Sequence, residues 1–506
     1  MDLSGRRRIL AVIVLIFIFG IAGCRVLERP MLRNFQKKTE TLLVNPLDFN
    51  IKEESLTTYE IDVELLVEKN QIVGGQRVIF INNSEDNLKE IYFNLYPNAF
   101  KEKETAPALF SEGIKNDNYT PGFIEIKGLK LEGKKTNYEI SGKGETLLKI
   151  PLEEPLRPGE AIDIELNYLI QLPTLADRFG YYNGVYNLGN WHPILAVYDE
   201  EGWNLNPYYA IGDPFYSEAS NYNVIIRAPK NIIIAATGNI KEQSRASEYS
   251  KWSIEARLVR DFAWAASADF NLVEEIVGDT AIKMYYLTKD ASIRKKALEY
   301  TKSSLKIFQN VYGKYPYGQL SVVETYFPSG MEYPTLIYIS EEYFRNKELQ
   351  SMELVIVHEV GHQWWYGVVG NNQIKDAWLD ESLTTYSELV YYREAKGESV
   401  AQQVHQLRNE ATWNNSTNSL KSVGIWKGLH EYRNWLEYGS LVYSKGASML
   451  VELEKLYGRN KVYEILNTYY NKYLFRIAKP EDFINTTNEV TKGDNEEFFN
   501  NWLKGR

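Results

Sequence analysis

The spacing of apolar residues changes character once along this 506-residue chain, and that change dictates a β-built part followed by a helical one. From Tyr59 the period is two. Tyr59, Ile61, Val63 and Leu65 alternate with Glu60, Asp62 and Glu64, the pattern of a half-buried strand. Gly74-Gly75 precedes a second run, Val78–Ile81, which stops at Asn82-Asn83, and further short strands are predicted at 162–168, 224–226 and 232–235. Residues 171–223 are rich in Gly, Asn, Pro, Trp and Tyr and read as long irregular loops, which in compact domains usually carry function. Beyond about residue 285 the period becomes helical, with helices predicted over Ile293–Val311, Leu349–Trp365, Trp378–Lys396 and Gly446–Tyr457. The fold class expected is therefore α+β multidomain: a mostly antiparallel N-terminal β domain over 51–272, then a mainly helical domain over 273–506.

The first residues are of another kind. Arg6, Arg7 and Arg8 precede an apolar run from Ile9 to Ile21, shorter than the ~20 residues a membrane-crossing helix needs. This reads as an export signal over 1–23. Its end, Ile21-Ala22-Gly23-Cys24, resembles the lipobox of bacterial lipoproteins, which implies acylation of Cys24, a lipidated tether over 24–50 and a body held on the extracytoplasmic side of the cell membrane. An uncleaved signal-anchor is the alternative. Cys24 is the single cysteine, so no intrachain disulfide can form. The net charge of −10 argues against nucleic acid as a partner.

The sharpest motif is His358-Glu359-Val360-Gly361-His362. Residues at i and i+4 lie about 40° apart on a helix, so both imidazoles address one point, while Glu359, about 100° round from His358, addresses a water beside the metal. HExxH alone is weak, since a buried helix with two satisfied histidines would read the same. Eighteen residues (363–380) then separate His362 from Glu381 on the next predicted helix, a distance that allows one helix to finish and the next to return beside it. His358, His362 and Glu381 make a catalytic rather than structural zinc set, leaving one tetrahedral position open. Bound there, one Zn2+ polarises water for attack, and Glu359 is placed as general base.

HExxH followed after eighteen residues by Glu within Trp378-Leu379-Asp380-Glu381-Ser382 resembles the gluzincin metalloaminopeptidases, the family of aminopeptidase N and the leukotriene hydrolases. Two more motifs match in order. Ser329-Gly330-Met331-Glu332-Tyr333 is similar to the family's GAMEN, and Tyr443-Ser444-Lys445-Gly446-Ala447 to its YxKGA. The chain departs from the family at Asp380, Ser382, Ser329 and Tyr333. The resemblance implies a saddle-like β domain before a thermolysin-like zinc catalytic domain, and hydrolysis of the N-terminal bond of peptides with free N-termini. It also implies that Tyr443 stabilises the oxyanion, that Glu332 binds the substrate's α-ammonium, and that Gly330 and Met331 lie along the same edge strand, facing the substrate backbone and first side-chain pocket. Relatives often add a second amine-binding group from the N-terminal domain; here Asn187 and Asn190 are the candidates. His192 and His430 receive no role. The chain ends where the family's catalytic domain ends, without the helical domain many relatives carry, which implies a more open cleft or one closed by a partner. The alternatives are a zinc endopeptidase or other hydrolase with such a cleft, and a surface lipoprotein that binds peptides without cleaving them.

Overall fold

The alternating pattern of the first half builds an eight-stranded sheet. The computed structural model describes residues 46–49, 51–52, 55–103, 106–107, 119–245, 248–412, 420 and 422–505. Cys24, the export signal and most of the tether lie outside these residues. Both predicted parts fall within one unit, Leu42–Arg506. In spatial order the sheet runs Asn239–Arg245, Tyr249–Val259, Ser220–Pro229, Thr58–Leu66, Gln71–Ile81, Ala161–Gln171, Phe123–Leu131 and Lys134–Lys135. Neighbours are antiparallel except at the centre, where Thr58–Leu66 and Ser220–Pro229 run parallel. Tyr59, Ile61, Val63 and Leu65 are buried on one face as their spacing requires.

Gly74-Gly75 does not precede a strand but sits inside Gln71–Ile81. A Cβ on Gly74 would lie 2.2 Å from the Asp62 carbonyl, and one on Gly75 2.4 Å from the Leu166 carbonyl, so glycine here lets neighbouring strands close up. The 171–223 stretch is less irregular than expected. It contains Phe179–Tyr182, Val185–Leu188 and Ile194–Leu195, which add to two four-stranded sheets, and the small hairpin Tyr198–Asp199/Gly202–Trp203.

A five-stranded mixed sheet opens the second half, in the order Asn271–Val277, Thr280–Tyr286, Gln319–Thr325, Leu336–Ser340, Gly330–Met331. Every residue of Gln319–Thr325 and Leu336–Ser340 is buried, the signature of strands covered on both faces, so they carry no period of two. Helices follow at Ala291–Val311, Leu349–Gly361, Trp378–Lys396 and Gly446–Tyr457. The HExxH helix ends at Gly361, not Trp365, and turns take over; the amide of Gly367 bonds back to the His362 carbonyl. Asn372 caps the short helix Gln373–Asp376, after which Trp378–Lys396 runs through the core, buried from Trp378 to Arg393. No helix among the described residues is long and apolar enough to cross a membrane.

Candidate metal centre and catalytic cleft

Two close helix contacts assemble the centre. Gly361 lets the HExxH helix approach Trp378–Lys396, since a Cβ there would sit 3.0 Å from Thr384 Cγ2. Gly446 does the same for the tyrosine-bearing helix, where a Cβ would meet Ser382 Oγ at 1.9 Å. Ser382 Oγ in turn donates to the Val442 carbonyl at 2.7 Å. That carbonyl belongs to a π-helical segment, Gly439–Lys445, which carries Tyr443. Widened turns of this sort are frequent at functional sites.

The structure brings together His358, His362 and Glu381. The two Nε2 atoms are 3.1 Å apart, and Glu381 Oε2 lies 3.1 Å from one and 3.2 Å from the other. Each Nδ1 is engaged from behind: His358 with Glu388 Oε1 at 2.8 Å, His362 with the Trp365 carbonyl at 3.0 Å. Those acceptors favour a proton on each Nδ1, so that with a metal bound both Nε2 atoms would be free to ligate it. Burial opposes charge on His358, yet its hydrogen bonds to Glu381 and Glu388 outweigh burial and raise it to about 10. His362 is likewise raised to about 10 against burial, chiefly by Glu381. Burial also works against Glu381, but the histidines hold it well below the usual carboxylate range. The centre therefore favours positive charge between these three side chains, and their donor set fits a divalent metal.

Glu359 projects beside this trio. It is 5% exposed, its Oε2 has no hydrogen-bond partner, and burial pushes it up to about 7, with the two histidines pulling the other way. Gly330 gives it room, because a Cβ there would lie 2.1 Å from Glu359 Oε1. On the other side Tyr443 donates to Glu381 Oε1 at 2.7 Å. Burial and the Glu381 charge raise Tyr443 well above the ordinary phenol, so it stays a proton donor.

Gly330–Met331 is the edge of the five-stranded sheet, pairing with Leu336–Ser340 on one side only. An extended ligand can add to such an edge as a further strand. Glu332 follows it, 5% exposed; burial, then Asp213, raise it well above the usual carboxylate range. The charged groups that act on it most are, in order, the Asp213 carboxyl, the His362 ring, which pulls the other way, and the carboxyls of Glu359 and Glu381. Met331 is buried and its sulfur accepts from Arg178 Nε at 3.2 Å. The departures from the family pattern also find places. Tyr333 is fully buried over Gly189, where a Cβ would lie 1.6 Å from its hydroxyl, and Asp380 accepts from the Glu381 amide at 2.7 Å.

Asn187 and Asn190 are both buried, donating to the Asp177 carbonyl and to Asp261 Oδ2 respectively. The carboxylate that the β half does contribute is Asp213. It is 7% exposed and paired with Arg178 Nη2 at 2.7 Å; burial lifts it to about 6, with Arg178 opposing and Glu381 adding to the rise. The Gly212-Asp213-Pro214 turn inside an aromatic loop was the available sequence signal. His192 is a core residue, bonded to Gln76 and the Pro193 carbonyl and pushed down to about 3 by burial. His430 is exposed.

Two histidines and a glutamate around one point, with a free buried carboxyl and a tyrosine hydroxyl beside them, fit a mononuclear metal hydrolase centre. Residues 296–502 match the Peptidase family M1 domain. Among relatives, leukotriene A-4 hydrolase of Xenopus laevis is 23% identical over 71% of this chain and 60% of its own length. Aminopeptidase N of Lactobacillus helveticus is 22% identical over 76% of this chain and 46% of its own. The chain thus spans roughly half the length of the curated relatives it matches. An M1 zinc metallopeptidase from Deinococcus radiodurans shares the fold at a TM-score of 0.64 and 16% identity, over 89% of this chain and 94% of that one.

Proposed function

We propose that the chain is a zinc-dependent aminopeptidase that removes residues from free peptide N-termini. The observation that carries this is Glu332: a buried carboxyl at the end of an open edge strand, crowded by further carboxyls and set beside the metal ligands. Such a pocket rewards a compact cation, and the substrate cation that also marks a chain end is the α-ammonium. Zinc held by His358, His362 and Glu381 would supply Lewis acidity to water and to the scissile carbonyl. The remaining work belongs to side chains. Glu332 and Asp213 hold the ammonium, and the Gly330–Met331 edge aligns the backbone. Glu359 takes a proton from the attacking water and passes it to the leaving nitrogen as the C–N bond breaks. Tyr443 donates to the oxygen on which negative charge develops. A Deinococcus relative is described as a mutant bound to a Tyr-Ser-Ala substrate, which is of the same class.

The test compares one peptide in free and N-acetylated forms, followed by product mass with and without a chelator. Stepwise shortening of the free peptide alone is expected, abolished by chelation and weakened at least about 10-fold by Glu332→Ala, since a lost charge-assisted bond is worth about 1.5–3 kcal/mol. Internal cleavage of both forms would instead establish an endopeptidase.

Attachment to the outer face of a membrane through acylated Cys24 is part of the same proposal, supported by the Arg6–Cys24 sequence. The mature protein is expected to begin at Cys24 and to carry acyl chains there, read from the mass of its N-terminal fragment. A membrane-bound protein with residues 1–23 still attached would point to a signal-anchor.

A further inference from the structure

His362 is followed directly by Gln363, a fully buried side chain that reaches the loop between Gly330–Met331 and Leu336–Ser340. Its amide ties that loop at three points. Oε1 accepts from the Thr335 amide at 2.8 Å, and Nε2 donates to the carbonyls of Tyr333 at 3.2 Å and Glu332 at 3.4 Å. Thr335 sits at φ 63°, a region that a β-branched residue occupies only when its surroundings hold it there. They do so densely. Thr335 Oγ1 accepts from the Gly238 amide at 2.8 Å, and its carbonyl accepts from the Ser321 amide at 2.8 Å. The turn bearing Glu332 is therefore held in a strained shape and linked by one side chain to the turn that leaves the HExxH helix, one residue from a metal ligand.

We propose that Gln363 is a positioning residue that fixes the separation between the metal ligands and the Glu332 carboxylate, and so sets which peptide bond meets Glu359. The inference rests on the aminopeptidase reading. An extended chain advances only about 3.3–3.6 Å per residue, so an amine anchor that wanders by a fraction of that distance no longer presents one bond. Misplacement of about 1 Å can cost about 100-fold in rate. The role needs an amide: leucine fills the volume but offers neither donor nor acceptor. Glutamate keeps the acceptor for Thr335 and sets an oxygen against two carbonyl oxygens.

The test is a double-mutant cycle between Gln363→Leu and Glu332→Ala, reading metal content, kcat and KM on a free tripeptide. Gln363→Glu is carried alongside in case the leucine variant folds poorly. Gln363→Leu is expected to keep full metal content and lower kcat/KM by about 10- to 100-fold. In the Glu332→Ala background the same change should have little further effect, because the anchor it positions is already gone. An equal loss in both backgrounds, or a loss that follows metal content or melting temperature, would show a structural role and overturn the proposal. If Glu332→Ala alone leaves the preference for free N-termini unchanged, the aminopeptidase reading fails first and takes this one with it.

Discussion

Replacing Glu359 with glutamine will lower kcat by about 100- to 10,000-fold while folding and metal content stay unchanged. Glutamine has nearly the same shape, so the contact with Gly330 survives and the three ligand side chains are not touched. What disappears is the ability to take a proton and return it. Glu359 is suited to that exchange because burial lifts it to about 7, near neutral pH, and because Oε2 has no protein hydrogen bond to break first. Burial also leaves it little freedom to turn away. The measurement is kcat against metal stoichiometry and melting temperature for both proteins. A glutamine variant with full metal and a kcat within a few-fold of the parent would remove Glu359 from the proton path.

The metal ligands could be read because their spacing is local. His358 and His362 share a helix face by geometry alone, and Glu381 follows within one turn and one helix. The bounds of Trp378–Lys396 and Gly446–Tyr457 were equally legible, since glycines at positive φ, Gly397 and Gly458, stand just beyond them. Asp213 was not. It lies far from the ligands in sequence, and its place follows from the Arg178 ion pair and from how the β half packs on the cleft. Asn187 and Asn190 look available as polar residues in an aromatic loop, but their amide nitrogens are engaged with a buried carbonyl and a carboxylate. The five-stranded sheet escaped because strands buried on both faces lose the alternation by which strands are recognised. Gln363 gave no signal at all, since its value lies in meeting three backbone groups that only the folded turn presents.

Arg260 is where stability and the site meet, and Arg260→Ala will destabilise the fold by about 1–3 kcal/mol, the cost of a buried acceptor left without its donor. The side chain is 2% exposed, and its hydrogen bonds go to backbone carbonyls: Tyr366 at 2.8 Å, Val368 at 3.0 Å, Arg476 at 2.7 Å, with Ser217 at 3.5 Å. Burial holds its pKa below the usual guanidinium range. It extends from the β half into the loop that leaves the HExxH helix, and Gly370 makes way for it: a Cβ there would lie 2.2 Å from the guanidinium carbon. Val368 and Arg476 carbonyls also accept from the amides of Phe475 and Gly370, so alanine would loosen these without orphaning them. The Tyr366 carbonyl would lose its arginine partner, on a residue already at φ 121°. Lysine cannot fork to three carbonyls, so Arg260→Lys should recover little of the loss. The same loop supplies the Trp365 carbonyl behind His362, so metal affinity is expected to fall together with the melting temperature. Denaturation of the metal-free and metal-loaded forms separates the two effects. A shift confined to the metal-loaded form would place Arg260 in the site alone, and no shift in either would show that the packing of the two halves does not need this arginine.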